Sequence, residues 1–158
     1  DCYLYQQITI FTTPNLLLMK KFYLYLLLTA LCYNSFSQSK LDSLKKVLAK
    51  LPPEGRSFAG DTLRVRVLCE MGLSYDLNTD GLEHINKALS ISKKTDWKKG
   101  IANSINLRGW HYLRKGFYFQ SIEDLSEGLK LGIELEDNFI KAYSYRFIGG
   151  CYFEMGED

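Results

Sequence analysis

Few side chains in this sequence could move a proton, attack an electrophile or hold a metal. They are two histidines, four cysteines and some neighbouring carboxylates. His84 stands in Glu83-His84-Ile85-Asn86, a setting that suggests a phospho-acceptor. Such a histidine belongs on a dimerisation helix ahead of a nucleotide-binding domain, and neither is legible here, so an exposed helix histidine is the simpler reading. His111 follows Trp110 with no Cys or carboxylate at ligand spacing, which predicts no metal. Glu123-Asp124, Glu134, Glu136 and Asp137 would need to face each other across a substrate to serve as acid and base. They read instead as solvated helix faces and a helix end. No glycine-rich phosphate cradle and no Gly-x-Ser-x-Gly turn is present. The sequence therefore predicts no catalytic residue, no cofactor and no metal.

The cysteines divide between two regions. Cys2 and Cys32 lie in or before an apolar leader, while Cys69 and Cys151 lie far apart in the remainder and are expected to be free buried thiols. The leader consists of Met19-Lys20-Lys21, then twelve residues from Phe22 to Tyr33, then small and polar residues up to Gln38. That order reads as a secretory signal peptide over residues 19–37, with Ser35 and Ser37 before the cut. Residues 1–18 then read as non-native upstream translation. A lipoprotein signal would want a small residue where Leu31 precedes Cys32. An uncleaved anchor is the alternative, since a membrane span needs about 20 apolar residues and bilayers adapt to shorter ones. After residue 37 there remain eighteen basic and seventeen acidic side chains. That balance gives no electrostatic footprint for nucleic acid. Any membrane contact is expected only through the leader or a C-terminal segment outside this sequence.

Beyond the leader every ordered segment has helical spacing. Ser39 is expected to cap a short helix with Leu41, Leu44, Val47, Leu48 and Leu51 on one face, stopped by Pro52-Pro53. Residues 38–60 thus form an N-terminal helix and Pro-containing linker, the linker running from Glu54 to Gly60. Asp61-Thr62 is expected to cap the next helix, Asn78-Thr79-Asp80 to break it, and a further helix to run from Leu82 towards Lys94. Helices are then predicted over Lys98 to Arg114, Phe117 to about Glu134, and Asn138 to Met155.

These elements repeat. Ala102, Ser104, Gly109, Tyr112 and Gly116 recur forty positions later as Ala142, Ser144, Gly149, Tyr152 and Gly156. A fixed period of this size is the mark of stacked helix pairs, each burying its apolar face only against its neighbours.

The repeated residues resemble the tetratricopeptide repeat. Gly109, Tyr112 and Gly116 match its first helix and turn, and Tyr118, Ser121, Leu125, Gly128 and Leu129 match its second helix. A later unit matches through Ala142, Ile148, Gly149, Tyr152 and Gly156, an earlier one through Met71, Gly72, Tyr75, Ala88 and Leu89. Arg108 stands where the pattern prefers an aliphatic residue, so imperfect packing is expected there. The period exceeds the family's usual one, which we attribute to longer second helices such as Ser121–Glu134.

The resemblance implies an all-α, right-handed superhelical solenoid of antiparallel helix pairs over residues 61–158, in units 61–97, 98–137 and a truncated 138–158. It further implies a concave groove for a protein or peptide partner. The inward positions carried over are Arg66, Cys69 and Leu73, then Asn103, Asn106, Trp110, Leu113 and Arg114, then Tyr143, Arg146, Gly150, Phe153 and Glu154. Of these Arg66, Asn103, Asn106, Trp110, Arg114, Tyr143 and Arg146 are the expected contacts. Leader, short helix, linker and repeats in this order are similar to the exported sensor regions of bacterial histidine kinases and helix-turn-helix regulators. The expectation is a protein-interaction scaffold of that kind, exported or membrane-tethered, whose output domain lies outside this sequence. A stand-alone periplasmic binding or assembly module is the alternative.

Overall fold

Helix begins, ends and reverses this chain at places set by a few capping and breaking residues. The structure is a computed structural model that describes residues 16–75 and 81–156. The upstream stretch to residue 15 and the Asn78-Thr79-Asp80 break lie outside the described residues. Among those described there are six helices and no strand: α1 (Leu16–Lys50), α2 (Phe58–Ser74), α3 (Gly81–Lys94), α4 (Lys98–Arg114), α5 (Tyr118–Glu134) and α6 (Asn138–Met155). The chain is all-α over this range, as its spacing predicts. It separates into two units, one ending at Lys40 and one beginning at Leu41. Among the described residues, no helix is long and apolar enough to cross a membrane.

Two N-terminal expectations are corrected. Ser39 starts no helix, because α1 runs unbroken through it. No glycine or proline interrupts residues 16–50, and the first break comes at Pro52-Pro53. Asp61-Thr62 is not a cap either. The helix α2 begins at Phe58, inside the expected linker, and its N-cap is Ser57, whose Oγ accepts from the Gly60 amide at 3.1 Å. Asp61 is buried one turn in, where both carboxylate oxygens accept from the Gly55 amide at 3.1 Å. A carboxylate in a first turn also favours the helix dipole.

The reversals after α3, α4 and α5 share one geometry. Trp97, Phe117 and Asp137 donate their amides to Ser92, Tyr112 and Gly132 carbonyls at 2.9, 2.9 and 3.0 Å. The residue before each of them is left-handed, with φ of 50° at Asp96, 78° at Gly116 and 54° at Glu136. This is the six-to-one helix-ending motif, which wants glycine and finds it here only at Gly116. Gly156, with φ of 75°, closes α6 similarly. Left-handed residues thus fall every twenty positions, and the forty-residue period follows from them. The two helices of the 98–137 unit are equal in length, α4 and α5 having 17 residues each.

From α2 to α6 each helix packs on the next, and α2 also touches α4 as α4 touches α6. Glycines set the closest approaches. A Cβ on Gly109 would lie 2.8 Å from Leu125 Cγ, and one on Gly132 would lie 2.8 Å from Ile140 Cγ2. Val65, Leu68, Ala88 and Ile91 form one core cluster, while Leu41 of α1 joins Val67 and Met71 in another. Tyr112 is half-buried, its ring 6.4 Å from Phe117, whereas Tyr152 is exposed.

The sequence reading of Arg108 and Asp124 is overturned. Asp124 is no solvated carboxylate but is buried, and Arg108 grips it through Nε and Nη2 at 2.7 Å each. The guanidinium fork matches the two carboxylate oxygens, so a charged side chain fits where an aliphatic one was expected. Removing one partner leaves the other charge desolvated. Asp124→Ala should therefore lower stability by about 3 kcal/mol in urea unfolding, and the apolar pair Arg108→Met with Asp124→Leu should recover most of it. A cost under about 0.5 kcal/mol for the single variant would show the pair to be no better than a surface one.

Candidate functional site

Because α4 touches both α2 and α6, these three alternate helices can wall a space that no consecutive pair encloses. They do so around a cavity of about 510 Å³. Val65, Arg66, Cys69, Glu70 and Leu73 come from α2, Asn103, Asn106 and Leu107 from α4, and Phe139, Ile140 and Tyr143 from α6, with Trp97 entering from the turn before α4. The walls are mainly apolar. At the rim, the Arg66 guanidinium lies 5.9 Å from the centre of the Trp97 ring. That contact holds the charge beside the opening at little conformational cost.

Four of the seven expected contact residues meet here: Arg66, Asn103, Asn106 and Tyr143. Trp110, Arg114 and Arg146 do not line the cavity. Arg114 lies over Trp110 at 4.8 Å, further along α4, and Arg146 lies over Phe147 at 5.2 Å. Asn106 lines the floor, but its amide is already engaged. Its Nδ2 donates to the Ile140 carbonyl at 3.4 Å, and its Oδ1 accepts from Ser144 Oγ at 3.0 Å. A buried asparagine so used fastens α4 to α6, so the expectation that it reads a peptide backbone gives way to a structural role. Asn103 is the amide left nearer the opening.

Two buried titratable groups of the cavity, Cys69 and Tyr143, are held neutral. Burial pushes the Cys69 thiol up to about 11, against a weaker opposing effect of Ser104 Oγ at 3.7 Å. A protonated thiol is neither nucleophile nor metal ligand at neutral pH. Burial likewise raises the Tyr143 phenol, whose ring packs against Phe147 at a centroid distance of 4.5 Å and a tilt of 54°. Cys151, buried as expected, donates to Ser121 Oγ at 3.1 Å. Sequence reasoning missed Trp97, Phe139 and Leu107 as cavity residues. The first two stand at a turn or a helix's first residues, outside the inward stripe, and aromatics at such places were the available signal.

The histidines lie elsewhere. His84 is half-buried and packs on the Tyr75 ring at 4.9 Å. His111 is 1% exposed, and neither ring nitrogen has a hydrogen-bond partner. Its Cε1 lies 3.3 Å from where a Cβ on Gly81 would stand, so it fills space between α3 and α4. Among the described residues no group of three or more His, Cys, Asp or Glu could hold a metal ion.

No protein-family model matches this chain, and neither a curated protein nor a solved structure does.

Burial, then Lys115 and Arg114, lower the His111 imidazole below its ordinary 6.5. The unfolded chain binds that proton below pH 6.5 while the folded chain does not, so this contribution is complete above 6.5 and is lost as pH falls towards the folded value. The wild type should lose more melting temperature between pH 7.5 and 5.5 than His111→Leu does, and the variant should melt no lower at pH 7.5, since it removes two unsatisfied nitrogens. Equal losses in both proteins would show that the imidazole is not the group titrating.

Proposed function

We propose that residues 61–158 act as a protein-interaction scaffold of tetratricopeptide type, a right-handed stack of antiparallel helix pairs that takes a peptide or partner helix in the cavity between α2, α4 and α6. The observation that carries this reading is the cavity itself. Its three walls come from alternate helices, and it joins an apolar interior to a rim bearing Arg66, Glu70 and Asn103. Pockets of a few hundred Å³ with apolar walls and few polar groups are suited to burying an apolar anchor and orienting what surrounds it. The forty-residue recurrence and the twenty-residue spacing of left-handed turns support the repeat reading.

The same proposal makes the chain the exported sensor segment of a bacterial signalling protein, on the strength of the leader-like order of residues 19–37 ahead of the helices. Binding, not bond-making, is its mechanism. A partner's apolar side chain enters among Val65, Leu73, Leu107 and Tyr143, and its backbone meets Asn103 at the edge.

Arg66 and Leu73 line the cavity and are exposed, so changing them leaves the core clusters untouched. Screening the chain against a random peptide library should yield binders whose affinity drops about tenfold or more in Arg66→Glu and Leu73→Asp, with helix content unchanged by circular dichroism. Binders indifferent to both changes, or none at all, would overturn the groove.

A further inference from the structure

Arg66 stands at the mouth of the cavity between α2, α4 and α6 with its charge still open to a partner. It is exposed there, and the Trp97 ring 5.9 Å away holds its guanidinium in place. Among the described residues no carboxylate pairs with it. Three cations of α4 are each neutralised, Lys98 by Glu134, Lys99 by Asp137 and Arg108 by Asp124. Glu70 is the acid of the rim, one turn further along α2, and it already has a partner.

A guanidinium lying over a ring keeps its five N–H donors, which lie in its own plane, for other acceptors. A carboxylate suits them, with two oxygens for the fork and a single charge for a single arginine. A phosphate brings close to two negative charges, and this mouth has no second free cation to meet them.

Asn103 is the other polar group here. It is half-buried and, unlike Asn106, has no hydrogen-bond partner among the described residues. A primary amide both donates and accepts, which suits a chain whose own N–H and C=O groups are unpaired. An extended segment has such groups, whereas a helix spends its backbone on itself. Further in, Val65, Leu107 and Ile140 offer no charge, so what enters must be apolar.

Resting on the reading of this cavity as a peptide groove, we propose that its occupant is an extended segment in which an Asp or Glu flanks a large apolar residue. The apolar side chain fills the cavity, the carboxylate pairs with Arg66, and Asn103 holds the backbone between them.

Peptides selected from a random library against the 158-residue chain, then sorted by their loss of binding to Leu73→Asp, test this. Leu73→Asp reports on the groove alone: if no peptide depends on Leu73, the groove falls and this proposal with it. Leu73-dependent peptides should carry Asp or Glu within two residues of their large apolar residue. Changing that acid to its amide should weaken binding about tenfold. Changing it to Lys should weaken binding to wild type further, yet the Lys peptide should bind Arg66→Glu at least about tenfold better than the acidic peptide does. Asn103→Ala should weaken every such peptide about threefold or more, with helix content unchanged by circular dichroism in all three variants. Leu73-dependent peptides without an acid, or acidic ones whose preference does not reverse in Arg66→Glu, overturn the proposal and leave the groove standing. So do bound peptides with helical Cα shifts by NMR, or ones indifferent to Asn103→Ala.

Discussion

The close approach of α4 and α5 at Gly109 is the contact on which the packing of α4, α5 and α6 depends. With no side chain there, Leu125 fills the space a Cβ would occupy, and Ser121 Oγ reaches the Gly109 carbonyl at 2.7 Å. Two helices held this near bring Asp124 within reach of Arg108, which a wider spacing would leave as two separately hydrated charges. The position of α5 in turn settles α6. Gly132 accepts Ile140, and Ser121 meets the Cys151 thiol. One missing methyl group thus propagates through three helices, because interiors are packed too densely for a misfit to be absorbed locally.

Polar groups inside this stack are fastened in pairs across helices. Ser104 faces Cys69, Ser144 bonds to Asn106 and to the Ile140 carbonyl, and Ser121 serves both Gly109 and Cys151. Small hydroxyls suit such sites because they fit where larger side chains would hold the helices apart, and they satisfy a buried partner at once. Ser92 instead bonds the Ala88 carbonyl of its own helix, and His111 is a buried ring with both nitrogens unmet. Its presence shows how much shape counts here, since the imidazole contributes volume between α3 and α4 and no hydrogen bond.

Much of the fold was legible because helical spacing and turn chemistry are local. The predicted ends of α4 and α6 coincide with those observed, and α5 differs only in that Phe117 stands as its N-cap. The errors arose where local signals compete. Ser39 has a capping side chain, yet nothing before it stops a helix, so α1 continues. Asp61 and Ser57 are both capping residues four apart, and the choice fell to the one whose hydroxyl meets the Gly60 amide. Asp124 looked solvated because a sequence shows its charge but not the guanidinium sixteen residues back. The site was half legible for the same reason. Inward positions on α2, α4 and α6 follow from the repeat, but Trp97 enters from a turn, where only its being aromatic marks it, and Asn106 spends its amide on Ser144, which has no one-dimensional signature.

These details also fix what kind of selectivity the cavity can have. Its floor offers a partner no open amide, because Asn106 is engaged, and its buried thiol and phenol are held uncharged. Apolar walls discriminate weakly, a methylene at a time, whereas a group that must pair with a fixed polar side chain is recognised sharply. The polar groups able to do this stand at the rim, with Arg66 over Trp97 and Asn103 on the next wall. For a partner of the kind proposed, affinity would come from what enters the cavity and choice of partner from what remains at its edge. The proposed scaffold could then keep its interior unchanged while a few rim substitutions retarget it.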